Sequence, residues 1–547
     1  NKYKKMTSSS QRILSYIYFV IAIIALISIT KRVIGPLDYD IVIINGEVFD
    51  GSGDESKIQD IGIIGDEIVR IGNIESNNSL KIIDASDLVV SPGFIDTHAH
   101  LDPMDNFINL SDGESHIRQG VTTSFGGPDG RGVPLKYGFK EFLDSIEKVG
   151  VGMNVGFLTG HNKIRRVVMN LENRDPTEDE LNEMRMLASK AMGEGAFGIS
   201  TGLKYLPGNF SKVEEVIEIS KEISKKGGIY TTHLRDEGLK IIDAVNEAIL
   251  IAKEADINVV LTHHKVIGKP MWGKSEMTLS LVDSARQKGI KIMADQYPYS
   301  ASHTGINILI PTWARAGGSE EFKNRMSDEE IRKKIEEEIV FNILNDRGGN
   351  DLDRVQFSRV SWNPDLEGRT LKDWALMKGL EPTLENGAKL VIEAELNGGA
   401  GCIFHAMDES DVKNIMKYPH TMIASDGRLS EPGVGHPHPR AYGTFPRVLG
   451  KYVREDQVLK LSEAIYKMTH LPAIAFGIND RGLIKKGMKA DITIFDKNTV
   501  KDNATFTSPH QYPDGIKYVI VNGELAVDNF NFMGLKAGKV LRKTLNP

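Results

Sequence analysis

Two histidines separated by a single residue, His98 and His100, close the apolar run PGFIDTHAH. A strand has a side-chain period of two, so both imidazoles turn toward one face and can share one ion. Further candidates follow: His233 in YTTHLRDEG, His263 in LTHHKVIG and Asp426 in IASDG. Imidazole nitrogens combined with a hard carboxylate oxygen suit zinc or a similar divalent ion. Such an ion polarises a carbonyl and brings the pKa of water to about 7. A neighbouring carboxylate can take the water's proton and pass it to a leaving nitrogen, and Asp426 is the candidate for that work. Cys402 is the single cysteine, so histidines and carboxylates must carry any metal.

Residues so far apart in the chain need a scaffold that gathers them. Strand-like runs (GVTTSFGG, MNVGFLTGH, GAFGIST, GIYTTH, INVVLTHH, KIMADQYPY) alternate with helix-length segments. Repeated β/α units of this kind predict an α/β fold, a (β/α)8 TIM-type barrel over residues 91–482. Each strand ends in a chemically capable residue: His100, Asp129 in the loop that follows, His161, His233, His263 and Asp426. In such a barrel the C-terminal strand ends share one mouth. Residues 312–360 break the rhythm with a charged amphipathic helix and read as an insertion over that mouth.

Residues 38–90 and 483–547 flank the barrel with β-branched runs, each holding an Asn-Gly pair, Asn45-Gly46 and Asn522-Gly523. The two segments are expected to combine into one small β-sandwich, with both Asn-Gly pairs as turns. A net charge of −7, with no block of like charge, argues against nucleic acid as a partner. Residues 13–30 (ILSYIYFVIAIIALISIT) are apolar and uncharged. They are expected to form an N-terminal transmembrane helix within a tail and anchor of residues 1–34. Lys2, Lys4, Lys5 and Arg12 precede the run and Lys31 and Arg32 follow it, which predicts a single-pass, membrane-anchored protein with an extracytoplasmic body.

Eight stretches in order carry a resemblance: PGFIDTHAHLD, GISTGLKYLPG, YTTHLRDEG, LTHHKVIGKPMWG, DQYPYSA, IASDG, HPHPRAYGTFPRVLG and GLIKKGMKADITIFD. From residue 38 to the C-terminus the chain resembles the amidohydrolase superfamily, and within it the N-acyl-D-amino-acid deacylases, or D-aminoacylases. The resemblance implies a barrel with a composite β-sandwich, one or two zinc or other divalent ions at the mouth, and hydrolysis of N-acyl-D-amino acids to a carboxylate and a free amino acid. Metal ligands carried over residue by residue are His98, His100, His233 and His263, with His264 as the adjacent alternative to His263. Asp426 matches the catalytic aspartate and is also a metal candidate. Arg440 matches the substrate-carboxylate arginine once a three-residue insertion after Asp426 is allowed. Lys265 and Tyr297 match substrate-contacting positions.

One departure stands out. Deacylases of this kind usually carry a cysteine metal ligand in a G-x-C-G loop after GVTT, whereas this chain reads GVTTSFGGPDG. Counting places Asp129 at the cysteine's position. Either Asp129 is a metal or bridging ligand, or it is a turn residue in Pro-Asp-Gly. Two other readings compete with deacylation: a cyclic-amide hydrolase of the hydantoinase or dihydropyrimidinase type, and a non-catalytic binding protein on the same scaffold. HPHPR and DQYPY resemble deacylases rather than the first, and the retained histidines and Asp426 weigh against the second.

Overall fold

The structure, a computed structural model, describes residues 38–75, 79–101, 104–132, 138–348 and 351–544. Amphipathic segments form helices that lay one face on a sheet. FKEFLDSIEKV (Phe139–Val149) buries Phe139, Phe142, Leu143 and Ile146, spaced three and four apart, and leaves its charges outside. Thr177 starts the helix Glu178–Gly193 with a capping box: its hydroxyl accepts the Glu180 N–H while the Glu180 carboxylate accepts the Thr177 N–H.

Parallel strands follow one another in chain order. Phe94–Asp96 pairs with Val121–Gly126, and that strand pairs with Asn154–Phe157, which runs on into Thr159–Gly160. Gly198–Gly202, Ile229–His233, Asn258–Leu261, Ile292–Gln296 and Thr421–Ile423 continue the series. The ring closes where Gly427–Arg428 pairs with Ala99–His100 and the Asp426 N–H donates to the His98 carbonyl at 2.8 Å. Ile95, Phe125, Leu158, Phe197, Ile229, Val260 and Met422 pack together with Leu471 and Phe476 on the N-terminal side of the ring. Apolar packing thus seals one end, and polar side chains are left to the other.

Both chain ends enter one nine-stranded sheet, joined where Val89–Pro92 runs antiparallel to Ile492–Phe495. Asn522-Gly523 is a tight turn with positive φ at both residues, 47° and 81°. Asn45-Gly46 is not: Tyr39–Val48 runs straight through it as one strand with a bulge between Ile43 and Gly46. The glycine is needed for approach rather than for turning, since a Cβ on Gly46 would lie 2.5 Å from Val90 Cγ2.

The insertion between the last two barrel strands reaches well beyond 312–360. It has its own antiparallel sheet, Ser302–Gly305, Gly401–Phe404 and Val355–Arg359, and its own core around Ile335, Ile339, Phe357 and Trp374.

The expected transmembrane helix requires correction. No helix among the described residues is long and apolar enough to cross a membrane, and residues 13–30 lie outside the described residues. The membrane as a partner and the anchored, single-pass, extracytoplasmic placement are withdrawn with it.

Candidate metal centre

At the mouth, two groups of ligand-type side chains meet. His98, His100, Asp129 and Asp426 form one, Asp129, His233 and His263 the other, and Asp129 belongs to both. Its Oδ1 lies 3.6 Å from His98 Nε2, 3.8 Å from His233 Nδ1 and 3.3 Å from His263 Nε2, while Oδ2 lies 3.4 Å from His100 Nε2. Asp426 Oδ1 approaches the same two histidines of the first strand, 3.4 Å from His98 Nε2 and 3.0 Å from His100 Nε2. All six residues are buried.

Local backbone aims these groups. Asp129, His263 and Asp426 adopt positive φ, at 54°, 39° and 48°, a region that non-glycine residues enter at a cost. Each sits just past the end of a barrel strand, where a sharp turn of the chain carries the side chain back over the ring. Pro-Asp-Gly is therefore both a turn and the source of a shared carboxylate. Asp96 and Asp295 brace the neighbouring strand ends. Asp96 Oδ1 accepts the Ser425 and His98 N–H groups at 2.9 and 3.2 Å, and Asp295 accepts the His263 N–H at 2.5 Å and the Thr97 hydroxyl at 3.1 Å.

Burial alone would raise the Asp129 carboxyl, but the imidazoles of His98, His100 and His263 hold it well below the usual carboxylate range. Asp426 behaves likewise: burial raises it, and Arg440 with His100 and His98 brings it far down. The donor set suits a cation for a further reason. His98 Nδ1 and Nε2, Asp129 Oδ1 and His233 Nε2 are buried without a hydrogen-bond partner. Buried polar atoms are rarely left so, and imidazole and carboxylate donors converging within 4.8 Å fit a divalent metal.

The adjacent histidines separate cleanly. His263 faces the cluster, whereas His264 turns to Thr278 Oγ1 at 2.8 Å, and burial pushes its ring down to about 4. Tyr297 lies between the two expected substrate cations, its ring centroid 4.7 Å from the Arg440 guanidinium and 5.7 Å from Lys265 Nζ. Arg440 Nη1 is 2.8 Å from Asp426 Oδ2. Lys265 Nζ is bound to Glu237 Oε1 at 2.5 Å and lies 2.8 Å from His263 Nδ1. His161 is not in this group; its ring meets Glu215 at 2.8 Å beside Arg165.

Glu237 and Arg347 were not expected. Fully buried, Glu237 lies 3.4 Å from His233 Nε2, 3.2 Å from His263 Nδ1 and 2.6 Å from Arg347 Nη2. Its place four residues after His233, inside YTTHLRDEG, is a signal that could have found it. For Arg347, which arrives from the insertion, the sequence holds none.

Two cavities open on the cluster. One of about 420 Å³ is lined by Asp426, Arg440, Arg428, His303 and His438. The other, about 580 Å³, is lined by Asp129, Tyr205, Arg315 and Phe322. A larger groove of about 760 Å³ around Lys204 and Arg235 touches none of the six cluster residues and has no comparable convergence of donors.

Comparison with known proteins agrees with this geometry. A profile of the amidohydrolase family matches residues 347–527. The D-aminoacylase of Alcaligenes xylosoxydans xylosoxydans is 35% identical over 532 residues, covering 92% of this chain and 98% of that one. The chain belongs to the N-acyl-D-amino-acid deacylase family. Another deacylase, the N-acyl-D-glutamate deacylase of Bordetella bronchiseptica, solved with zinc and a phosphonate mimic of the tetrahedral intermediate, superposes with a TM-score of 0.79 at 30% identity, covering 92% of this chain and all of that one. A D-aminoacylase structure described for its binuclear metal centre, with one-metal activation and second-metal attenuation, gives 0.78 at 33% identity over 92% of this chain and 100% of that chain. In this deacylase the residue shared by both ligand groups is Asp129.

Proposed function

We propose that this chain is a metal-dependent amidohydrolase that cleaves the linear amide of N-acyl-D-amino acids into a carboxylate and a free D-amino acid. The observation that carries the reading is the shared Asp129: two groups of imidazole and carboxylate donors meet at one buried residue, beside a guanidinium suited to an α-carboxylate. Kinship with D-aminoacylases supports the substrate class.

His98, His100, Asp129 and Asp426 would hold one zinc or similar ion, and Asp129, His233 and His263 a second. Bound there, it supplies Lewis acidity for the acyl carbonyl and makes hydroxide available near neutral pH. The rest falls to the chain's own groups. Arg440 takes the substrate α-carboxylate, with a second donor available for a two-pronged grip. Tyr297 and Lys265 form the wall beneath that carboxylate and fix the direction in which the amide crosses the cluster. Asp426, kept ionised by Arg440 and the histidines, receives the proton of the attacking water and returns it to the departing nitrogen. Burial excludes bulk water from this transfer and strengthens each electrostatic contact.

A panel of N-acyl D- and L-amino acids, assayed on protein of measured metal content, tests the reading. Turnover is expected with D substrates. Metal-loaded protein that hydrolyses none of them, or that opens hydantoin rings instead, overturns it.

A further inference from the structure

Four basic residues, Arg131, Lys163, Arg166 and Arg315, line the cavity on the Asp129 side of the cluster, against two carboxylates, Asp129 and Glu395. Asp129 belongs to the candidate metal centre, and Glu395 accepts a hydrogen bond from Asn307 at 3.4 Å. Arg315, Lys163 and Arg166 form no ion pair within 4 Å among the described residues; Glu395 acts on Arg315 only as a more distant counter-charge, and Arg315 Nε is buried without a hydrogen-bond partner. Phe322, Leu206 and Pro207 add apolar wall to the same cavity. A buried donor without an acceptor, in a cavity of surplus positive charge, is a site for an anion.

Orientation follows from the hydrolase reading, on which this inference rests. Arg440 lies on the Asp426 side, so the amino-acid half of the substrate occupies that cavity. The acyl half must then cross His100, which lies between Asp426 Oδ1 at 3.0 Å and Asp129 Oδ2 at 3.4 Å. It enters the basic cavity of about 580 Å³. From this we infer that the enzyme prefers N-acyl groups ending in an anion, the half-amides of short dicarboxylic acids, with Arg315 and Lys163 receiving the terminal carboxylate. Hydrolysis of such an amide consumes one water and releases the dicarboxylic acid and the amino acid, so no further reactant is required.

Three acyl groups of matched length test this on one D-amino acid: succinyl, butanoyl and β-alanyl, whose termini are anionic, neutral and cationic. The N-acetyl compound serves as control on the full-length, metal-loaded enzyme. Succinyl is expected to exceed butanoyl in kcat/KM by about tenfold or more, and β-alanyl to be poorest. Arg315→Met and Lys163→Met, made separately, should each shrink the succinyl-to-butanoyl ratio. If the acetyl and butanoyl compounds are cleaved while succinyl gains nothing, the inference fails and the hydrolase reading stands. Cleavage of none defeats both. Variants that leave the ratio unchanged, or that alter selectivity for the amino-acid side chain instead, also overturn it.

Discussion

Arg440 sets its Nη1 2.8 Å from Oδ2 of Asp426, the carboxylate whose other oxygen lies 3.0 Å from His100 Nε2. One residue thus couples the side of the mouth proposed for substrate to the ligand side. Its charge also helps to keep the Asp426 carboxylate ionised against burial.

Replacing Asp426 by asparagine keeps the shape and removes the proposed proton carrier. Turnover of the best D substrate should fall about 100- to 10,000-fold. Metal content, measured on the same preparation, should persist through the remaining donors. Near-normal activity would remove Asp426 from the proton transfer.

Arg440→Lys retains a positive charge and loses the planar fork. KM for an N-acyl-D-amino acid should rise about tenfold or more, with a smaller change in kcat. Amides lacking the α-carboxylate should not distinguish the variant from the parent, and if they do, the carboxylate contact is wrong.

Because Asp129 serves both ligand groups, Asp129→Ala should lower metal stoichiometry as well as affinity. Elemental analysis after dialysis reads both. Unchanged values would reduce Asp129 to a turn residue.

Glu237 is the buried counter-charge of Lys265 and Arg347. Glu237→Gln leaves two buried cations uncompensated and should cost about 3–5 kcal/mol in urea unfolding. Combined with Arg347→Met, the loss should be smaller than the sum of the two, since the second change removes a stranded charge.

His116 is buried, and desolvation pushes its ring down to about 4 from 6.5. Between those values the unfolded chain binds the proton and the folded one does not. This contribution to stability is complete above pH 6.5 and is lost as pH falls toward 4, by about 3 kcal/mol across the window. The urea midpoint of His116→Gln should therefore fall less than that of the parent between pH 7 and pH 4.5. Parallel pH curves would show that His116 does not titrate in this way.

What could be read from the chain follows the range of the forces involved. His98 and His100 were legible from their one-residue spacing at the end of an apolar run, although the chain bends at His98 between two short strands, and His233, His263 and Asp426 because each lies at or just past the end of its own strand. Glu237 stood in reach four residues after His233 and went unread, whereas Arg347 escaped because its pairing with Glu237 spans 110 residues and leaves no local pattern. Asn45-Gly46 misled for the opposite reason: a strong local turn signal was overridden by the tight approach of Val90, a tertiary constraint. In the insertion, the charged helix was visible while its three strands, separated by long helical stretches, were not. The apolar run at residues 13–30 lies outside the described residues, among which no helix is long and apolar enough to cross a membrane.

The bond from Asp426 N–H to the His98 carbonyl joins the last strand of the ring to the first, and Ser425 meets Asp96 across 329 residues of chain. The catalytic mouth is therefore also the clasp of the scaffold. A growing polypeptide carries His98 and His100 early but has no reaction centre until Asp426 has been made, so competence for chemistry and closure of the ring arrive together.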